Sequence, residues 1–284
     1  MALGDVFRAG AMLAMVLGLF ASGAKAADRG PIEIAVLPYF SARTLFQQFE
    51  PLRAFIEEKL GRPTYLQTAP DYQSFVARTQ RGEFGLVVTG PHLARLAQVE
   101  AGYQPLAQWK SALRGVFVVR GACDCATLGD LRGRSVATPD RLAVTTMLGD
   151  EALRGAGLTP GVDIAFNPQL SHNAALLSVL RGEDAAALVW SKAMVTLDPE
   201  LRADFRELAQ TAELPIASVF MAGPASPPAD VEALRAALLE FGGTPGGREF
   251  LERSGYEGII PVMADELGGL DRYLPATRAA MGGR

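Results

Sequence analysis

A stretch of this chain is written twice, one hundred residues apart. Asp71-Tyr72-Gln73, a helix-like run, Arg81-Gly82-Glu83 and the apolar residues Phe84 to Val88 align with Ser171-His172-Asn173, Arg181-Gly182-Glu183 and Ala185 to Val189. Each copy opens on a good helix N-cap, Asp71 or Ser171, followed by a ring-bearing residue and an amide at the first two helical positions. A β-α-β habit met twice by chance is the competing reading of so short a match. Taken as a duplication, it predicts two similar α/β units facing each other across a cleft, with the helix starts at Tyr72 and His172 at the ligand end.

The first residues read as a secretory signal: Arg8 precedes an apolar stretch from Ala9 to Phe20, and Ala24-Lys25-Ala26 places small residues where a signal peptidase reads. Cleavage after Ala26 is expected, which makes 1–26 a signal peptide and the remainder an exported, periplasmic protein. A membrane anchor is the rival, but the stretch falls short of the ~20 apolar residues a spanning helix needs, and no cysteine follows for lipid attachment. The remaining length exceeds what one compact core usually holds and suits two lobes of ~100 to 150 residues. The removed segment carries Arg8, Lys25 and Asp5, so the remainder is one unit more negative than the full chain's formal charge of −4. Acids and bases are interspersed, which argues against nucleic acid as a partner.

Short β-rich runs alternate with helix-period stretches. Residues 32–37, 84–89, 115–119, 135–138, 164–166, 186–190 and 218–222 read as strands, and 45–60, 71–81, 91–101, 142–155, 172–181 and 229–241 as helices. In 45–60, Leu45, Phe46, Phe49, Leu52, Phe55, Ile56 and Leu60 recur at spacings of three and four, and Gly61 with Pro63 ends the run. The alternation predicts an α/β protein of mainly parallel sheets flanked by helices. Two extended segments, 110–120 and 215–223, bracket the second unit, so the chain is expected to go out and come back. That puts lobe one at 27–114 plus 220–284 and lobe two at 115–219.

In open α/β sheets, ligands sit beyond the carboxyl ends of strands, where helix N-termini present unpaired N–H groups. Corners of that kind here are Pro38-Tyr39-Phe40-Ser41, Thr89-Gly90-Pro91-His92, Thr138-Pro139-Asp140 with Thr145-Thr146, and Trp190-Ser191. For Tyr39, Tyr72 and Trp190, packing with a satisfied polar tip competes with ligand contact; for Ser41, Thr89, Thr145 and Ser171, helix capping does. His92 and His172, the two histidines, fall at helix starts, where the dipole disfavours the imidazolium. Neutral hydrogen-bonding rings fit those positions. Cys123 and Cys125 are the two cysteines; in an exported protein a bridge between them is the first reading, with a thiol switch or metal site open beside it. Glu183-Asp184 reads as a solvated turn. A G-x-S-x-G elbow, an H-E-x-x-H helix, a phosphate loop and a dinucleotide glycine fingerprint are all missing, so no catalytic residue, cofactor or metal is assigned.

In this order and spacing the residues resemble the periplasmic solute-binding proteins of ABC importers for phosphonate, phosphite and phosphate, which share the type II periplasmic-binding-protein fold. The resemblance rests on Phe49-Glu50-Pro51-Leu52 through Leu60-Gly61, Asp71-Tyr72 ahead of Arg81-Gly82-Glu83, Thr89-Gly90-Pro91, the run Thr127 to Ala137, Gly157-Leu158-Thr159-Pro160, Ser171-His172-Asn173-Ala174-Ala175, and Arg181 to Ala187. It implies two lobes with an interlobe cleft, a small anion or zwitterion held there by hydroxyls, helix-end amides, a Tyr and a His, and an ABC permease in the inner membrane as partner. Carried over by motif, the ligand contacts are Tyr39, Tyr72, Thr89, Gly90, Thr145, His172 and Trp190, in a monomer.

One departure matters. Where relatives have a Ser-rich loop before the first long helix of lobe two, this chain has Thr138-Pro139-Asp140-Arg141-Leu142-Ala143-Val144-Thr145-Thr146. The lost hydroxyls and the added Asp140 leave open a different oxyanion, a zwitterion whose amine meets Asp140, or a sensing domain. The expected function is periplasmic capture of a small oxyanion for an ABC importer. A ligand-sensing or accessory domain partnering a membrane kinase or redox system is the alternative.

Overall fold

In the structure, a computed structural model, residues 30–282 are described except 196 and 264, so the expected signal peptide lies outside the described residues. The chain first runs β1 (Ile32–Val36), α1 (Ala42–Leu60), β2 (Thr64–Gln67), α2 (Tyr72–Gln80), β3 (Leu86–Thr89), α3 (Pro91–Ala101) and β4 (Gln104–Trp109). It then enters a second sheet with β5 (Leu113–Arg120), β6 (Ser135–Thr138), α4 (Val144–Gly155), β7 (Ala165–Pro168), α5 (His172–Leu180), β8 (Ala186–Trp190), α6 (Pro199–Ala203) and β9 (Phe205–Leu214). It returns to the first sheet for β10 (Val219–Ala222), α7 (Pro228–Phe241), α8 (Pro245–Ser254), β11 (Ile259–Pro261) and α9 (Leu274–Gly282). Every strand and helix expected from the pattern is present. Elements β2, β4, β9, β11, α6, α8 and α9 are additions. Of these, β9 is an edge strand with mostly half-buried or exposed residues and two register shifts, so its sequence shows no clean apolar alternation.

The six-stranded sheet has the order β11-β4-β10-β3-β1-β2 and the five-stranded sheet the order β7-β6-β8-β5-β9. Parallel pairing is confined to β2-β1-β3 and β7-β6-β8. Both sheets are mixed rather than mainly parallel, because β5 and β10 reach their sheets by crossing over and not by a helical return. Each runs against its neighbours, β5 against β8 and β9, and β10 against β3 and β4. The two crossings, 110–112 and 215–218, lie side by side: the Trp109 N–H donates to the Ser218 carbonyl at 3.2 Å.

The repeat is one of structure as well as sequence. Asp71 and Ser171 accept from the backbone N–H groups of Ser74 and Ala174 at 2.6 and 3.2 Å, the N-cap geometry. Past the last turn of each helix, Gly82 and Gly182 take φ of 69° and 74°, a left-handed turn that a side chain resists. Arg81 bonds Glu83 and Arg181 bonds Glu183, each at 2.7 Å. Asp184 corrects the expectation of a solvated turn: it is buried and accepts from the Ser178 hydroxyl and, at 3.0 Å, from the Asn167 amide. These partners replace water, so only Glu183 faces solvent.

Strands β3 and β8 are buried at every residue, as expected where helices cover both faces of a sheet. The main core runs through both sheets and holds an aromatic ladder at the first crossing. Trp109 stacks on Tyr256 and Phe250 at centroid distances of 4.3 and 5.1 Å, with Phe220 edge-on at 4.8 Å. A second core sits under the five-stranded sheet, built from Phe117, Val119, Leu131, Val136, Leu153, Ile164 and Leu188 with Cys125 at its margin.

Cys125 is bridged to Cys123, so neither sulfur offers a thiolate to a metal beside Asp124. Closing so small a ring removes little entropy from the unfolded chain. The double variant C123S/C125S is expected to lose ~1 kcal/mol of stability or less, at the low end for disulfides, with ligand affinity unchanged. Denaturant titration and calorimetry read both; lost binding in a folded variant would give the bridge a part in capture. Among the described residues no helix is long and apolar enough to cross a membrane.

Candidate functional site

The carboxyl ends of β1, β3 and β8 and the N-termini of α2, α3, α4 and α5 meet at one buried cavity of about 30 Å³. That is room for two or three waters, or for a group of similar size. From the first sheet it is lined by Leu37, Tyr39, Tyr72, Gly90 and His92; from the second by Ala143, Val144, Thr145, His172 and Trp190. Leu113, Ala217 and Ser218, at the ends of the two crossings, complete it. A roomier groove of about 300 Å³ between α1 and α8 is lined by solvated Gln47, Gln48, Glu249 and Arg253 and lacks the convergence of helix ends. The small cavity is the better candidate on chemistry.

Its polarity comes from groups that carry no formal charge. The α3 N-cap is Gly90 and the α4 N-cap is Ala143, and neither helix has a side chain capping its first N–H groups. Two uncapped N-termini, one from each sheet, therefore present donors and the positive end of the helix dipole to the same space. Gly90 has φ of −63°, open to any residue, so its contribution is the missing side chain rather than backbone freedom. Gly115 in β5 serves differently, since a Cβ there would lie 3.2 Å from Thr145 Cγ2 and 2.9 Å from Thr211 Cγ2. It lets α4 settle against the sheet.

Histidine tautomers follow from their partners. The Trp190 backbone N–H donates to His172 Nδ1 at 3.2 Å, which leaves the hydrogen on Nε2 and makes that atom a donor. His92 Nε2 lies 2.7 Å from the Leu142 carbonyl, which only accepts, so the hydrogen is on Nε2 and Nδ1 carries a lone pair. Among the described residues no group bonds that Nδ1. Burial disfavours the cation and pushes His172 down to about 3 and His92 down to about 4, the Leu142 carbonyl pulling the other way on His92. Both rings are neutral near pH 7. Burial also raises the Tyr39 and Tyr72 hydroxyls, for Tyr72 with help from the nearby Asp140 charge. Tyr39 and Tyr256 are neighbours whose hydroxyls fall outside hydrogen-bond geometry, and Tyr39 meets Trp190 edge-on at 6.2 Å.

Six of the seven expected contact residues thus line one cavity: Tyr39, Tyr72, Gly90, Thr145, His172 and Trp190. Thr89 is buried one residue behind Gly90 with its hydroxyl unpaired, and is not on the wall. Asp140 is not on the wall either. Its carboxylate accepts from the Leu142 N–H at 2.8 Å, and burial raises it above the ordinary carboxylate range. Ser41 only caps α1, accepting from Thr44 N–H at 3.2 Å. The crossing residues Leu113, Ala217 and Ser218 carry no sequence signal, because their type is ordinary and only the topology brings them here. His92 is visible in sequence as a helix-start histidine and belongs on the wall.

The fold and cavity define a two-sheet α/β protein with a small cavity enclosed between helix N-termini. The family model for the periplasmic substrate-binding protein of the phosphonate ABC transporter matches residues 34–267, and the chain belongs to that family. Among solved structures it is similar to a binding-protein component of an ABC phosphonate transporter from Pseudomonas aeruginosa, at 15% identity and a TM-score of 0.79, with 90% of each chain covered. PhnD1 from Prochlorococcus marinus, solved in complex with methylphosphonate, matches at 14% identity and 0.78, covering 87% of this chain and 98% of that one. The alkanesulfonate-binding protein of Xanthomonas axonopodis pv. citri, bound to MOPS, matches at 18% and 0.62, covering 90% and 94%. At these identities the likeness is one of fold, and that fold is two-lobed.

Proposed function

We propose that this chain is the periplasmic substrate-binding component of an ABC importer, a monomer that captures a small phosphonate-type oxyanion in the cavity between its sheets. The observation that carries the reading is the meeting of two uncapped helix N-termini, from opposite sheets, with the His172 Nε2–H at one buried site whose lining includes no Lys, Arg, Asp or Glu. Such a site stabilises an anion by fixed dipoles and neutral donors. The contacts are Tyr39, Tyr72, Gly90, Thr145, His172 and Trp190, with Thr89 supporting Gly90. Lobe one is 27–114 plus 220–284 and lobe two 115–219, a division supported by the change of sheet at 110–112 and 215–218. Family membership supplies the partners, a small molecule and a membrane permease.

A thermal-shift and calorimetric screen against phosphate, phosphite, methylphosphonate and sulfonates tests this. A true ligand at one hundred times its dissociation constant adds ~2.7 kcal/mol of stability. With that ligand, H172A is expected to bind roughly 10- to 100-fold more weakly, the loss of a hydrogen bond to a charged group being worth ~1.5–3 kcal/mol. Unchanged affinity in folded H172A would make His172 a packing residue and remove the donor side of the argument.

A further inference from the structure

We propose that the cavity selects a tetrahedral oxyanion that still carries one acidic proton, and that His92 is the residue that recognises that proton. The inference rests on the capture reading above and specifies its ligand. His92 is the second residue of α3 and 1% exposed. Its Nε2–H is committed to the Leu142 carbonyl at 2.7 Å, across the cleft from α3, so the ring cannot turn its donor toward the cavity without breaking that bond. Nδ1 is then a buried lone pair with no donor among the described residues, beside Gly90: a Cβ on Gly90 would lie 3.6 Å from it.

The other polar groups of the cavity sort by what they can do. His172 Nε2–H and the backbone N–H groups at the starts of α3 and α4 only donate. The hydroxyls of Tyr39, Tyr72, Thr145 and Ser218 donate or accept, so they fit any ligand. Among the described side chains on the wall, His92 Nδ1 is the obligate acceptor. A sulfonate or a fully ionised phosphonate is all acceptor, and against Nδ1 it sets lone pair to lone pair in a site that water does not screen. A phosphonate or phosphite monoanion has one P–O–H that donates to Nδ1 and two oxygens left for the donors. Leu37, Leu113 and Val144 give its substituent an apolar wall.

The groups facing His92 do not titrate in the range that matters. His172 on α5, and His92 itself, stay neutral above about pH 4, and Tyr39 and Tyr72, from the loop after β1 and from α2, stay protonated. The acids close by are Asp140, ahead of α4 and near Tyr72, and Asp71, the N-cap of α2, with Arg141 beside Asp140. The proton in question belongs to the ligand, and phosphonates lose their second proton near neutrality.

Calorimetry on the full chain with methylphosphonate and its isostere methanesulfonate, at pH 6 and pH 8.5, decides the matter. The wild type is expected to prefer methylphosphonate by roughly 10- to 100-fold at pH 6, the penalty for a buried unsatisfied acceptor, and to lose most of that preference at pH 8.5. In H92L the preference should collapse to within about threefold, with methanesulfonate bound as well as before or better; in H92Q, whose amide oxygen accepts, it should return. D140N should keep the wild-type pH profile. Should H92L not fold, the wild-type pH series and H92Q carry the test. Equal affinities for the two ligands at pH 6, an unchanged preference in H92L, or a flat pH series overturns the role of His92 and leaves oxyanion capture standing. If none of methylphosphonate, phosphite and methanesulfonate binds the wild type, the capture reading fails and this one with it.

Discussion

Lowering the pH from 7 to 5 is expected to cost this protein about 3 to 4 kcal/mol of unfolding free energy through its two histidines alone. His92 and His172 are 1% and 3% exposed, and burial lowers them to about 4 and about 3. In the unfolded chain a histidine takes its proton near pH 6.5. Above that value both states are neutral and the rings contribute nothing to the pH dependence. Between 6.5 and about 4 the unfolded state binds protons that the folded state refuses, so stability falls as pH falls, by up to ~1.4 kcal/mol per unit for each ring. Denaturant midpoints at pH 7 and pH 5 measure the loss, and the double variant H92Q/H172N should show a drop smaller by about that amount. A wild-type loss below ~1 kcal/mol, or an equal loss in the double variant, would place the acid sensitivity elsewhere. In the folded protein the rings stay neutral over that range, so acid weakens the fold without changing the donors and acceptors they present to the cavity.

Trp109→Ala is expected to cost ~3–5 kcal/mol, the usual range for emptying a large buried aromatic site. Against a total of ~5–15 kcal/mol for ordinary domains, that brings the chain close to unfolding at working temperature. Three observations argue for the upper half of the range. Trp109 is fully buried; it stacks on both Tyr256 and Phe250; and it is the last residue of β4, where the chain leaves the first sheet. Tyr256 in turn lies 5.8 Å from Trp190 on the cavity wall, so the hole would open toward the cavity. Urea titration of W109A beside W109F separates volume from stacking, since phenylalanine keeps a ring in the slot. A loss under ~1 kcal/mol for W109A would mean that the ladder collapses to fill the gap and does not fasten the crossing.

Helix starts were legible in the sequence because capping is a local contract. Asp71 and Ser171 need only the backbone three residues on, and both keep it. The glycines after α2 and α5 were legible for a similar reason, as the left-handed turn is theirs by default. Sheet direction was not. Whether β5 and β10 run with or against their neighbours depends on the crossings, and the extended character that marks 110–120 and 215–223 as an out-and-back pair carries no strand direction. The cavity wall divides in the same way. Tyr72 and His172 could be placed from the repeat, whereas Leu113, Ala217 and Ser218 reach the wall only because the two crossings lie side by side. Asp184 shows the limit of composition: a carboxylate after a glycine turn reads as solvated until Ser178 and Asn167 are seen to replace the water.

Two hydrogen bonds span the cavity, from the His172 backbone N–H to the Tyr39 carbonyl at 3.2 Å and from His92 Nε2–H to the Leu142 carbonyl at 2.7 Å. Both are made of protein atoms alone. Such bonds hold the cleft shut by contacts that a ligand does not supply, so a membrane partner that recognises only the shut outline reads both contributions together. Cargo can bias that recognition only through the additional free energy it lends to the shut form, beyond what these latches and the bond from Lys192 Nζ to the Gly255 carbonyl, at 2.6 Å, supply. The fidelity of delivery is then set by the ratio of those two contributions, so weakening either latch should sharpen the distinction between laden and idle carriers even as it loosens the grip on the ligand.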